Sequence, residues 1–187
     1  MLKSLFCAAL LFVLSGTLSA NEAACRNALK IFWNSFAVLD VQALKHITSD
    51  FKAVSGAKTT SRTEIEGYLR TYKQYRDLVK KGKYDQAAEA FAKLLAAAGR
   101  LKRTDHRSFA GLSEKEREQS IAFMKKSLTV DKYTLLKKQS MKIKQITKNG
   151  SRAAAVISYQ DFNKESFAEI EMKKQKGKWL VSKITKK

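Results

Sequence analysis

The chain has 187 residues, 44% of them hydrophobic and 10% aromatic, and a formal net charge of +20. That length fits one domain, and the apolar content excludes a chain too polar to fold. With two cysteines, two histidines and no proline, a disulfide framework, a closely spaced thiolate–imidazole metal site and slow prolyl isomerisation are all excluded.

Residues 1–20 read MLKSLFCAALLFVLSGTLSA, with Lys3 ahead of an apolar run from Leu5 to Leu14 and small residues up to Ala20. The run is too short for a transmembrane helix and has the form of a secretory signal peptide. The expectation is an exported protein, periplasmic or secreted after cleavage near Ala20, with residues 21–187 as one α+β domain. Cys7 would leave with the signal, so Cys25 would stand alone as a buried thiol or as a bridge between two chains. Lipidation needs an apolar residue three places before the cysteine, where NEAAC has Glu22.

Leu29, Phe32, Trp33 and Phe36 share one helix face, and Asp40 can cap a second short helix carrying Val41, Leu44 and Ile47. SDFKAVSG reads as a short extended piece. Ser61-Arg62-Thr63-Glu64 and Ser113-Glu114-Lys115-Glu116 are capping boxes, each opening a helix. The first helix carries Ile65, Leu69, Tyr72 and Val79, with Tyr68 and Tyr75 widening the face. Gly82 interrupts it before a helix over residues 85–98, and GRLKRTDHRSFAG follows as a basic loop. The second capped helix points Ile121, Met124 and Leu128 inward.

After Tyr133 the apolar period changes from 3.6 to 2. Met141 and Ile143 alternate with Lys142 and Lys144, and Asn149-Gly150 signals a two-residue hairpin loop. RAAAVISYQ, apolar on both parities, predicts a central strand. SFAEIEMKK alternates again, with Glu169 and Glu171 placed to pair with Lys142 or Lys144. WLVSKI closes the meander, with Leu180 and Ile184 on one face and Trp179 and Val181 on the other. The expected fold class is α+β: a helical part over 21–131 packed on a curved antiparallel meander over 132–187.

Residues 132–187 hold 15 basic and 4 acidic groups, so the positive field is concentrated in the last third. Lys142, Lys144, Lys173, Lys174, Lys176 and Lys178 are the candidate polyanion-binding residues, for an anionic membrane surface, lipopolysaccharide or another polyanion. Lysine outnumbers arginine, which favours diffuse attraction over forked phosphate recognition, so nucleic acid ranks last. Trp179 is the sole aromatic among these lysines that could stack on a base. Asp40, His46 and Asp50 are the only acid–base candidates, and no cofactor or metal motif accompanies them.

Three stretches carry a resemblance. ALKIFWNSFAVLDVQALKHITSDF is similar to the opening helix pair of the nuclear-transport-factor-like superfamily, with Asp40 between the helices. KNGSRAAAVISY is similar to its glycine turn and Ala/Val strand, and KGKWLVSKI to its closing strand. The resemblance implies a cone-shaped α+β fold in which helices cover one face of a curved sheet around a cavity. The helical stretch from Arg62 to Leu128 is longer than that family's usual middle. LSEKEREQSIAFMKKSL is similar to a helix of periplasmic phospholipid carriers, and GKYDQAAEAFAKLL to the second helix of one tetratricopeptide hairpin. The leading expectation is a non-catalytic exported binding domain for a small apolar ligand or lipid, or for an anionic envelope component; the first alternative is a basic surface-interaction protein for polyanions (lipopolysaccharide, anionic lipid or nucleic acid). Phe32, Trp33, Phe36, Tyr68, Tyr72 and Tyr159 are its candidate ligand-binding residues. A homodimer through the sheet or Cys25 is a further expectation, and the acid–base enzyme is the last alternative.

Overall fold

The computed structural model describes residues 22–97, 108–129 and 132–187. Residues 1–20, read above as a signal peptide, and most of the basic loop, His106 included, lie outside them. In chain order the elements are helix α1 (22–36), a 3-10 turn (Val41–His46), strands β1 (Ile47–Ser55) and β2 (Lys58–Ser61), and helices α2 (Arg62–Lys80) and α3 (Tyr84–Ala97). A 3-10 turn (Phe109–Gly111) and helices α4 (Glu114–Ser127) and α5 (Lys132–Gln139) follow. Strands β3 (Lys142–Asn149), β4 (Arg152–Asp161), β5 (Lys164–Gln175) and β6 (Lys178–Lys186) end the chain.

The six strands form one sheet in the order β2-β1-β6-β5-β4-β3. The last four are the expected antiparallel meander. β1 pairs parallel with β6 and antiparallel with β2, so the sheet is mixed and takes two strands from the segment read as helical. Conversely, α5 occupies part of the segment read as sheet. β2 is four residues long and mostly exposed, so burial imposes no alternation on it that periodicity could report.

Helices cover one face of the sheet, as the resemblance implies. α1 lays Cys25, Leu29, Phe32 and Trp33 on Ala153, Ala155, Ile157, Tyr159, Ile170 and Met172. Trp33 sits 4.8 Å from the Tyr159 ring and donates its indole N–H to the Lys137 carbonyl at 3.2 Å, which fixes α1 to both sheet and α5. RAAAVISYQ is buried mainly on this face: Ala154 is exposed and Val156 half-buried, so the opposite face is open rather than covered. On the open face Glu171 pairs with Lys183 at 3.2 Å and Glu169 with Lys187, not with the β3 lysines, because β6 is their hydrogen-bonded neighbour.

Two bulges correct the simple alternation. Between the pairs Glu171↔Lys183 and Met172↔Val181, β6 has one extra residue, Ser182, whose hydroxyl donates to the Glu171 carbonyl at 3.2 Å. Parity therefore flips at Ser182, and Trp179, Val181 and Ile184 are all buried while Leu180 is half-exposed. A similar shift in β3 lets Ile143 and Ile146 both pack toward the core. The first meander loop is Gly150-Ser151, closed by the pair Asn149↔Arg152, one residue later than the Asn-Gly signal. Gly150 takes φ +58 at the first loop position, where a tight hairpin demands it.

α2 serves two cores. Its first half packs Ile65 and Leu69 on the sheet, and its second half packs Tyr75 and Val79 against Ala87, Ala90 and Leu94 of α3 and Met124 of α4. Arg62 holds the start of α2 on β1, donating to the carbonyls of Ile47 and Thr48 at 2.8 Å each. Tyr75 and Ser127 share a 2.6 Å hydroxyl contact, and Arg76 donates to the Leu128 carbonyl at 2.8 Å. The enlarged helical middle is thus a lobe built on the far half of a shared helix, with α2 and α3 as the single αα-hairpin that the sequence predicts.

Candidate functional site

An apolar pocket of about 500 Å³ opens between the end of α1, the β1–β2 hairpin and the first half of α2. Phe36 and Leu39 form one wall, Ala53 and Thr60 the sheet side, and Ile65, Gly67, Tyr68 and Leu69 the α2 side, with Ala97 at the end of α3. Lys58, Thr60, Glu64 and Tyr68 bring polar groups to its lining. Glu64 is already engaged: its carboxylate accepts from the Ser61 amide at 2.7 Å and the Ser61 hydroxyl at 2.8 Å, and these bonds hold its pKa below the usual range.

Two wall residues run against local preference. The end of α1 is closed by a Schellman pattern, Leu39 N–H to the Phe36 carbonyl at 3.1 Å and Asp40 N–H to the Ser35 carbonyl at 2.9 Å. The left-handed position of that motif, normally glycine, is Leu39 at φ +57. An L-residue there costs about 1–2 kcal/mol. Gly67 is the opposite case. It lies inside α2, where alanine would be favoured by about 1 kcal/mol, and among the described residues a Cβ built on it meets nothing within 4 Å. Packing therefore does not require that glycine.

The six candidate ligand-binding aromatics divide among three places. Phe32, Trp33 and Tyr159 are in the solid core; Trp33 is 2% exposed, and burial pushes the Tyr159 phenol up. Phe36 and Tyr68 line the apolar pocket, with Phe36 stacked on Phe32 at 5.0 Å. Tyr72 lines a separate cleft of about 320 Å³ with Arg76, Phe123 and Ser127. Sequence reasoning missed Leu39, Ala53 and Gly67. A glycine inside a capped helix was the available signal for the last.

The acid–base candidates are placed for structural work. The Asp40 carboxylate caps the 3-10 turn, accepting from the Gln42 amide at 2.9 Å. Burial, with Lys45 adding to it, pushes the His46 imidazole down. Asp50 binds Lys173 at 2.5 Å, which lowers its pKa to about 2. None of the three lines the apolar pocket. Cys25 is fully buried, its thiol donating to the Met172 sulfur at 3.5 Å, and burial raises its pKa. A bridge to a second chain would have to open this core.

The candidate polyanion-binding lysines also divide. Lys144 pairs with Glu165 at 3.5 Å and Lys173 with Asp50, while Lys142, Lys174, Lys176 and Lys178 are exposed without an ion-pair partner among the described residues. Trp179 is 6% exposed and so presents no stacking surface.

No family model matches the chain, and no curated protein matches it in sequence. In structure it is similar to Rd1NTF2_04 with long sheet (10% identity, covering 87% of this chain and 99% of that one, TM-score 0.40). It is also similar to a de novo designed protein with curved beta-sheet (10% identity, 88% and 84% covered, TM-score 0.35). A third likeness is to the de novo designed NTF2 fold protein NT-9 (13% identity, 75% and 62% covered, TM-score 0.29). At TM-scores below 0.5 these likenesses carry no part of the functional reading.

Proposed function

We propose that this chain is an exported, non-catalytic binding domain that takes a small apolar or amphipathic molecule in the pocket between α1, β1–β2 and α2. The observation that carries the reading is the meeting of two locally unfavourable residues on one cavity. Leu39 stands where glycine would relax the backbone, and Gly67 stands where alanine would strengthen the helix. Such choices persist where something other than folding selects them. The volume, about 500 Å³, falls within the range of small-molecule sites, and the polar groups among its lining residues are few. Lys58 is exposed at this pocket and would suit an acidic head group.

The test uses delipidated full-length protein and N-phenylnaphthylamine, an uncharged apolar fluorophore that the basic surface does not attract. Saturable one-to-one binding in wild type, lost in Gly67→Leu while the protein stays folded, supports the reading. Absence of saturable binding, or undiminished binding in Gly67→Leu, refutes it.

A further inference from the structure

Charge is compensated at one end of the sheet and not at the other. At the β4–β5 end, Asp161 holds Lys186 at 2.7 Å and Lys137 at 3.8 Å, and Glu169 holds Lys187. At the opposite end the β3–β4 and β5–β6 turns abut, with the Lys174 amide donating to the Ser151 carbonyl at 2.7 Å. Residues 148–152 and 173–178 carry Lys148, Arg152, Lys173, Lys174, Lys176 and Lys178 and no acidic residue. Of these, only Lys173 has a carboxylate partner among the described residues, Asp50. Arg152, Lys174, Lys176 and Lys178 are exposed.

α1 also starts at this end. Cys25, one turn into the helix, rests on Met172, whose neighbours in the sheet are Ala153 and Val181, while Trp33 meets Tyr159 near the far end of β4. The start of α1 and the uncompensated charge therefore share one end of the molecule.

We infer that this end, formed by the β3–β4 and β5–β6 turns beside the start of α1, docks on an anionic lipid surface. The inference is independent of the apolar pocket, which lies elsewhere. Lipid is favoured over single-stranded nucleic acid because, among the described residues, the two turns at this end offer no exposed ring: Trp179, beside the β5–β6 turn, is buried. Five of the six cations are lysine, suited to the diffuse field of a headgroup layer.

The experiment is flotation of the full chain with phosphatidylcholine vesicles, with and without phosphatidylglycerol, across a salt series. One variant carries Lys148→Gln, Arg152→Gln, Lys174→Gln, Lys176→Gln and Lys178→Gln. A charge-matched control carries Lys80→Gln, Lys81→Gln, Lys83→Gln, Lys93→Gln and Lys115→Gln on the helical lobe. Each basic group near an anionic membrane strengthens binding by roughly fivefold. The sheet-end variant is therefore expected to lose at least about a hundredfold for the anionic vesicles, and the control less than about threefold. If the fivefold variant melts early, Lys174→Gln with Lys178→Gln alone should still lose roughly tenfold or more. Equal losses in both variants, equal wild-type binding to neutral and anionic vesicles, or equally tight binding of a short DNA at the same salt would overturn the inference.

Discussion

Gly67→Ala is expected to stabilise the protein. Gly67 is the sixth residue of a nineteen-residue helix whose start is fixed by the Ser61 capping box and whose far half is held by α3 and α4. Fraying therefore does not dilute the backbone term, and alanine in a helix interior is worth about 0.8–1.0 kcal/mol over glycine. Among the described residues no clash subtracts from this gain, because the added Cβ meets none of them within 4 Å. No burial adds to it, because the site is exposed. The net expectation is about 1 kcal/mol, or roughly 2–4 °C in Tm for a chain of this size. Urea unfolding followed by circular dichroism measures it, with an unchanged m-value certifying that the denatured state is the same. A stability equal to or below wild type would show that the space above Gly67 closes in solution, and the argument that the pocket accounts for this glycine would fail.

Leu39→Gly removes a left-handed strain of about 1–2 kcal/mol but also half-buried leucine surface worth a similar amount. Stability should therefore stay within about 1 kcal/mol of wild type while affinity for N-phenylnaphthylamine falls. Gly150→Ala should cost about 1–2 kcal/mol by urea unfolding, a purely backbone effect, because φ is +58 and nothing lies near the new methyl. Ser61→Ala breaks the capping box at the helix that walls the pocket and should cost about 1 kcal/mol by the same measurement. Lys173→Gln should return the Asp50 carboxyl, read by NMR titration, from about 2 toward the ordinary range near ~3.9. Because the folded pKa is depressed, the pair's small contribution is present above that ordinary value and lost as pH falls through about 2; in Lys173→Gln this acid dependence should shrink.

What the sequence made legible follows from how each element is stabilised. Capping boxes are local and carry their own chemistry, and Ser61 and Ser113 both open helices with both reciprocal bonds formed. The face of α1 was readable because Leu29, Phe32 and Trp33 are all buried. β2 was not, because its burial is slight. The β6 bulge was not, because an inserted Ser182 looks like any other strand residue until Met172 and Glu171 choose their partners. The candidate aromatics failed to separate for a related reason: periodicity reports that Phe32 and Phe36 share a face, not that α1 ends between sheet and solvent at Phe36. The pocket is defined by that ending, by the backbone of Leu39 and by a missing Cβ at Gly67. None of these is a hydrophobic pattern.

The division of α2 gives the site a mechanical context. One helix contributes Ile65, Gly67 and Tyr68 to the pocket wall and Tyr75 and Val79 to the helical lobe. Its sheet-side anchor is the Arg62 guanidinium on two β1 carbonyls, a charged donor serving both. Tyr68 packs against both cores, the single pocket residue to do so among the described residues. A molecule entering between Phe36 and Tyr68 would therefore press on a side chain that packs against both the sheet core and the lobe. Were the helical lobe to have a second arrangement, a molecule in this pocket would bias it only by the difference in its affinity for the two.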